Sequence, residues 1–371
     1  MMKKIDYRIS LNETNVLKGI AICAMLCHHL FFQNPEYGAI AFKLALTGKF
    51  CVALFVFLSG YGMAVQYQKY LTDNQVVQCC KCRTLLKNLR SNLRFLLRRY
   101  LKFFMNYWAV FLITVPIGVL VFGRSLDAAY GTESSLLISF IKDLLGLQYN
   151  ESYNITWWFN RLILSLWLLF PLLYWAMKSK VVCVWVLILL FFNPAGILSR
   201  LILLAESLPN YLVIFTMGIC IAVHIDEINK ILNKVHRYVV LAVSIIATLA
   251  FLYMRNHYVL SCFLMIKGDP FIVVFLSFAV VSICRLTHRK MAALAFVGKH
   301  SMNMYLVHTF VCSYFFHVFI YGFKYPILIF AVLFAISLLL SIVIEFFKTK
   351  VGFYRLLNSV IQTLEVRRKS F

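Results

Sequence analysis

Charged residues are scarce in this sequence, and acidic residues are the scarcest of them. Only 14% of the 371 residues are Asp, Glu, Lys or Arg, against about 25% in a typical soluble domain, which excludes an ordinary soluble protein. Asp and Glu number 14, whereas Lys and Arg number 37. In a soluble chain this excess would suggest nucleic-acid binding, but here the basic residues lie in short loops between apolar runs. The sequence therefore predicts a multi-pass membrane protein with no nucleic-acid partner.

Several other features are missing. No internal repeat, soluble domain or low-complexity linker is present, so we expect one membrane domain over residues 1–371 with a basic cytoplasmic tail from about residue 347. Residues 1–15 are too polar for a cleaved signal peptide, so the first apolar run is expected to be retained. The 11 Cys residues mostly lie scattered in apolar runs, where Cys behaves as a small buried hydrophobe. The cluster Cys79, Cys80 and Cys82 lacks a second Cys/His pair at zinc-finger spacing, so neither a disulfide framework nor a metal site is predicted.

The apolar runs predict an all-α membrane bundle with about ten transmembrane helices. A bilayer crossing needs about 20 residues, and the predicted spans cover approximately residues 16–32, 44–66, 101–122, 155–177, 181–193, 209–223, 238–254, 270–285, 301–321 and 326–346. With both termini in the cytoplasm, most of the 37 Lys and Arg residues fall on the cytoplasmic side. That asymmetry agrees with the positive-inside rule.

The first apolar run, Val16 to Phe32, carries Lys18, His28 and His29. Ionisable groups are costly inside a bilayer, so their presence is a functional-site hypothesis. Lys18 and His29 are eleven positions apart, which places both on one helix face, roughly 16 Å apart along the axis. We expect one end of this face to bind an anion and the other end to carry out proton chemistry.

A second set of polar residues lies in later spans. Asn154, Trp158, Arg161 and Ser165 recur every three or four residues. Because an Arg facing lipid would be costly, the stripe is expected to line a wet cavity. Trp157 and Trp158 could be ordinary interfacial aromatics or could stack on sugar rings, and the sequence leaves both readings open. Ser301, Tyr305 and His308 share one face of the ninth span.

Together these segments resemble the family-3 membrane acyltransferases. The resemblance rests on the ordered set Lys18-x10-His29, Phe55 to Tyr61, Arg98-Arg99-Tyr100, Trp157 to Tyr174 and Gly298 to His308. The family more often has Arg where this chain has Lys18, which keeps the charge but loses the planar bidentate fork.

The resemblance implies an enzyme of the bacterial plasma membrane that moves an acetyl group from cytoplasmic acetyl-CoA to a hydroxyl of a surface polysaccharide or lipid-linked glycan precursor. It implies His29 as general base, since imidazole titrates near neutral pH, and Lys18 as a partner of the donor phosphate or of a carboxylate. It also implies that Arg98 and Arg99 bind the CoA phosphates, and Lys102 on the same basic face is predicted to join them. From their own positions in the spans, the residues predicted to bind the acceptor are Trp157, Trp158, Arg161, Tyr305 and His308. No metal is expected.

Two alternatives stay open at this stage. The basic face formed by Lys87, Arg90, Arg94, Arg98 and Lys102 could simply contact anionic lipid headgroups, each residue contributing about 1 kcal/mol. The whole protein could also be a transporter whose membrane His and Arg residues line a translocation path. A transporter would be expected to show inverted repeats, and no such repeat is visible.

Overall fold

A computed structural model describes residues 4–73, 82–131, 135–148, 152–192, 208–257 and 262–366. Within these ranges every regular element is helical and no β-strand occurs, so the all-α prediction is confirmed. The helices are α1 (Leu11–Phe31), α2 (Ala39–Gly48), α3 (Phe50–Asp73), α4 (Cys82–Leu120), α5 (Leu126–Tyr130), α6 (Leu136–Leu144), α7 (Trp158–Lys178), α8 (Lys180–Phe192), α9 (Leu208–Val223), α10 (Ile225–Leu232), α11 (Arg237–His257), α12 (Cys262–Thr287), α13 (Ala292–Thr309), α14 (His317–Tyr321), α15 (Pro326–Lys350) and α16 (Phe353–Val366).

Among the described residues, seven helical segments are long and apolar enough to cross a membrane, and the total is eight if α9 and α10, which are bent by 74°, form one span. The chain is therefore a polytopic membrane protein. The count of ten spans stays a prediction, because the remaining two predicted spans fall on irregular or short structure. α8 has only 13 residues, and the predicted span 301–321 is interrupted where α13 ends and a π-helical segment, Phe310–Phe315, begins.

The chain divides into two compact units. The first unit comprises Met1–Val65, Leu172–Met302 and Val318–Ala335, and the second comprises Gln66–Pro171, Asn303–His317 and Ile336–Phe371. Five helices, α3, α7, α13, α14 and α15, contribute residues to both units.

In the first unit, α1 begins at a capping box. The Ser10 hydroxyl accepts a hydrogen bond from the Glu13 backbone N–H, and the Glu13 carboxylate accepts one from the Ser10 N–H. This exchange satisfies two of the backbone donors that a helix start leaves without partners. Glu13 is almost completely buried, and its carboxylate also lies 3.1 Å from the guanidinium of Arg285. The start of α1 is thereby tied to the end of α12.

The segment before α1 is held against α10 by two asparagine side chains. Asn233 accepts from the N–H of Ile5 and donates to the Ile5 carbonyl, at 2.8 Å in both cases. Asn229 accepts from the N–H of Tyr7 and donates to the carboxylate of Asp6. The two side chains thus provide hydrogen-bond partners for backbone groups that lie outside any helix.

The crossing of α1 and α13 brings two backbones into direct contact. A Cβ added at Gly19 would lie 2.2 Å from the carbonyl oxygen of Leu294, and one added at Gly298 would lie 1.8 Å from the carbonyl oxygen of Asn15. Only glycine allows such close approach of two helices. The glycine that follows Lys18 and the glycine that opens the late-span motif therefore serve the same contact.

Candidate functional site

α1 presents Lys18 and His29 on one face. The helix is continuous from Leu11 to Phe31, so the two side chains keep the shared orientation expected from helical geometry, roughly 16 Å apart along the axis. Both are half-buried, and Ile22 and Met25, which lie between them on the same face, are buried. This face therefore points into protein rather than toward lipid, with a cationic group near one end and an imidazole near the other.

His28, which directly precedes His29, connects α1 to α2. Nδ1 of His28 donates a hydrogen bond to the Ala45 carbonyl in the last turn of α2, at 2.8 Å. The last carbonyls of a helix lack intrahelical partners and carry partial negative charge, so an imidazole N–H is a suitable cap. The rings of His28 and His29 lie 5.4 Å apart. His28 thus packs α1 against α2, and the residue that follows it, His29, is the predicted general base.

Arg255 caps the next carbonyl of the same helix end. Its Nη1 donates to the Leu46 carbonyl at 2.7 Å, and its Nε donates to the Asp269 carboxylate, also at 2.7 Å. Arg255 is 1% exposed and Asp269 is also buried. Sequence reasoning missed Arg255 because it follows directly on the predicted span 238–254, where a basic residue is typical of a helix end. Its partner is visible only in the folded chain.

In the second unit, Arg98, Arg99 and Lys102 lie on α4 near one end of its apolar part. The Arg98 guanidinium lies 5.3 Å from the centre of the Tyr70 ring. Arg99 donates to the Gln66 side chain at 3.2 Å and lies 5.6 Å from the centre of the Trp167 ring, whereas Lys102 is exposed. The two guanidinium planes are thus oriented by aromatic neighbours, an arrangement that suits Arg better than Lys.

Tyr305 and His308 are brought together with the turn that precedes α7. The Tyr305 hydroxyl donates to the carbonyl of Thr156 at 2.8 Å, and the Tyr305 carbonyl accepts from Nδ1 of His308 at the same distance. Asn154, completely buried, caps the turn by accepting from the Thr156 N–H, and its side chain also bonds the Thr309 hydroxyl. These contacts fix α13 against the start of α7.

Trp157 and Trp158 have different surroundings. Trp157 is 1% exposed, its indole N–H donates to the Leu306 carbonyl at 3.3 Å, and its ring packs against those of Tyr107, Phe111 and Phe310. Trp158 begins α7 and is half-buried. Trp158 is therefore the more exposed of the two tryptophans.

The predicted stripe on α7 is only partly present. Arg161 is half-buried, and Ser165, which is buried, donates to the Arg161 carbonyl at 2.9 Å. Asn154 does not continue this face, because it precedes the 3₁₀ turn Ile155–Trp157 and its side chain is used in capping. The stripe therefore begins at Trp158.

Two further polar residues of the second unit were missed by sequence reasoning. Asp143 in α6 is buried and accepts hydrogen bonds from the hydroxyls of Tyr107 and Tyr130 and from the N–H of Tyr153. Burial raises the pKa of the Asp143 carboxyl to about 6, against the lowering effect of these three bonds. Nothing local in the sequence marks this carboxylate as buried.

Asn160 is the second missed residue. Its side chain is completely buried, and neither its Nδ2 nor its Oδ1 has a hydrogen-bond partner among the described residues. An unmade hydrogen bond on a buried amide costs about 1–3 kcal/mol. Asn160 directly precedes Arg161 on α7, but consecutive helix residues point in different directions.

Comparison with known proteins identifies the family of the chain. The family model described as an acyltransferase domain, that of acyltransferase family 3, matches residues 11–346. Comparisons with curated proteins and with solved structures found no match. The match extends from the first residue of α1 into α15 and includes every predicted site residue. The chain therefore belongs to acyltransferase family 3 and is a membrane acyltransferase.

Proposed function

We propose that this acyltransferase moves an acetyl group from acetyl-CoA to a hydroxyl of a cell-surface polysaccharide or of its lipid-linked precursor, in the plasma membrane of a bacterium. The observation that carries the proposal is the inward-facing pair Lys18 and His29 on α1. An anion-binding group and a proton acceptor on one helix face are what transfer from a phosphate-bearing thioester to an alcohol requires.

In the proposed reaction, the neutral imidazole of His29 takes the proton of the acceptor hydroxyl as its oxygen attacks the thioester carbonyl. The tetrahedral intermediate then collapses, the carbon–sulfur bond breaks, and the departing CoA sulfur receives the proton from the imidazolium. The new ester and free CoA are the products, and no outside oxidant or metal is needed. The His28 bond to Ala45 supports this role because it restrains the backbone that carries His29.

Lys18 is assigned to an anionic group of the donor. At roughly 16 Å from His29 along the helix axis, it cannot contact the reacting carbonyl. Lys18 therefore contributes its charge. We expect Lys18→Arg to keep donor binding, whereas a neutral side chain at this position should weaken it.

For the second unit we propose two binding roles, each supported by residues of that unit alone. Arg98, Arg99 and Lys102 are suited to the phosphates of CoA, because guanidinium groups bind phosphate in a bidentate manner. Trp158 and Arg161 are suited to a carbohydrate acceptor, with Tyr305, His308 and Trp157 shaping the turn from which α7 starts. Asn160 adds a buried amide able to bind a sugar hydroxyl.

The test uses membranes from cells expressing the full chain, incubated with radiolabelled acetyl-CoA. Label is then counted in the lipid-linked and polysaccharide fractions. We expect transfer in the parent and a loss of at least about 10²-fold in His29→Ala, the usual contribution of a general base. His236→Ala, in the exposed loop after α10, is the matched control and should transfer label normally.

Equal membrane levels of all variants must be shown by immunoblot. Normal transfer by His29→Ala would rule out the proposed base. No label in any fraction, together with counterflow of an unmodified glycan in liposomes, would instead favour the transporter.

A further inference from the structure

Three side chains of metal-ligand type meet in the first unit, and none belongs to the predicted acyl-transfer residues. Cys183 lies in the first turn of α8, Cys220 in the last turn of α9, and His224 in the bend between α9 and α10. The two Sγ atoms are 2.8 Å apart. With a ring nitrogen of His224 included, all three ligand atoms lie within 4.8 Å of one another.

The His224 ring is oriented as a ligand. Its Nε2 lies 2.8 Å from the Met177 carbonyl oxygen, and a carbonyl can only accept, so Nε2 carries the proton. The lone pair of the neutral ring is then on Nδ1. Metal-bound histidines usually donate their other N–H to a carbonyl or carboxylate, which fixes tautomer and orientation. In this structure the acceptor is the carbonyl of Met177, near the end of α7.

Glu227, three residues after His224, lies outside this group of three but close to His224. Oε2 of Glu227 lies 3.9 Å from Nδ1 of His224, while Oε1 lies 3.3 Å from the Nζ of Lys180. One carboxylate oxygen thus lies near the His224 ring, and the other is paired with the Lys180 ammonium. Two thiolates and one carboxylate around a divalent ion leave a single negative charge, which Lys180 balances.

We propose that Cys183, Cys220, His224 and Glu227 bind one thiophilic divalent ion, Zn²⁺ in the cell. Thiolate and imidazole ligands select such an ion, and four protein ligands in a tetrahedron are typical of structural zinc. Binding displaces one proton from each thiol and involves no change of oxidation state. With Zn–S bonds of about 2.3 Å in a tetrahedron, the sulfurs stand roughly 3.7 Å apart, so the two Sγ atoms separate slightly as the ion enters.

The site has a clear mechanical consequence. α8 has only 13 residues, and α9 meets α10 at a 74° bend. An ion held by one residue of α8, one of α9 and two at the bend ties these three elements together. The ion is therefore structural, and its presence is measurable without any assay of acyl transfer.

The experiment measures metal content of the full chain purified in detergent, without chelators and without metal-affinity resin. We expect about one zinc ion per chain by elemental mass spectrometry. Cys183→Ser and Cys220→Ser should lose it, whereas Cys284→Ser, a buried cysteine of α12 outside the cluster, should keep it. In protein exchanged into Co²⁺, the parent should show the sulfur-to-cobalt charge-transfer band and the tetrahedral ligand-field bands, and the two Ser variants should lack both.

A second measurement uses only the parent protein, so its result does not depend on whether the variants fold. Titration with an organomercurial should release zinc to a colorimetric indicator as Cys183 and Cys220 react. Parent protein that contains no zinc would overturn the proposal, as would zinc retained by Cys183→Ser. Peptides showing Cys183 linked to Cys220 in protein alkylated at lysis would identify a disulfide instead. Unchanged zinc retention by Glu227→Gln against a chelator would remove Glu227 from the ligand set.

Discussion

The contact between α1 and α13 makes a sharp prediction for Gly298→Ala. The new Cβ would lie 1.8 Å from the Asn15 carbonyl oxygen and 2.9 Å from the Gly19 nitrogen, where ordinary contact begins at 3.4 Å. These are backbone atoms, so no side-chain rotation can relieve the overlap and the helices must separate by about 1.6 Å, the difference between 3.4 and 1.8 Å. Overpacking typically costs about 1–3 kcal/mol, and a backbone overlap belongs at or above the top of that range. We expect Tm in detergent to fall by several degrees.

Gly62→Ala is the matched control for this prediction. Gly62 lies inside α3, and a Cβ there would meet no heavy atom within 4 Å. Ala in a helix interior is more favourable than Gly by roughly 0.5–1 kcal/mol, so this variant should be as stable as the parent or slightly more so. Equal Tm values for Gly298→Ala and Gly62→Ala would refute the reasoning. Because Gly19 follows Lys18, Gly298→Ala should also reduce acyl transfer.

Two other predictions concern buried charge. Because burial raises the pKa of Asp143 to about 6, the folded chain binds this proton more tightly than the unfolded chain, and the free energy of unfolding should fall by at most about 3 kcal/mol as pH rises from about 4 to about 6. Thermal unfolding across this pH range should show this loss of stability in the parent but not in Asp143→Asn. An equal loss of stability in Asp143→Asn would contradict the raised pKa of Asp143. Arg255→Met should lower stability by about 3–5 kcal/mol, since it leaves the Asp269 carboxylate buried without its cation. Adding Asp269→Leu should restore most of the loss in chemical denaturation, and no recovery would argue against the ion pair.

Helical periodicity is the part of the site that could be predicted from sequence. Lys18 and His29 share a face because their spacing fixes the angle between them on a continuous helix. α1 is continuous from Leu11 to Phe31, so this angle is preserved. The predicted membrane span begins at about residue 16, whereas the helix α1 begins at Leu11, because the span prediction counted only apolar residues. The capping box of Ser10 and Glu13 was present in the sequence, but it lies in a polar segment that an apolar count ignores.

Long-range pairing could not be predicted in the same way. The burial of Asp143 depends on tyrosines from three separate segments, and hydrophobicity carries no information on which segments meet. Likewise, the interruption after Thr309 follows from a change in backbone hydrogen bonding within an apolar run, which leaves composition unaltered. The scattered Cys183 and Cys220 were taken as small hydrophobes because their proximity arises only when α8 meets α9.

The two asparagines that hold the segment before α1 have a consequence for biosynthesis. Ile5 and Asn233 are separated by 228 positions in the chain. At the usual elongation rate of about 5–20 residues per second, the ribosome needs roughly 10–50 s to reach Asn233 after Ile5 has been made. During this interval, the leading segment emerges and α1 inserts while the clamp that will hold them does not yet exist. The segment before α1 therefore lacks this clamp, and stays accessible to chaperones and proteases, until α10 and Asn233 have been translated.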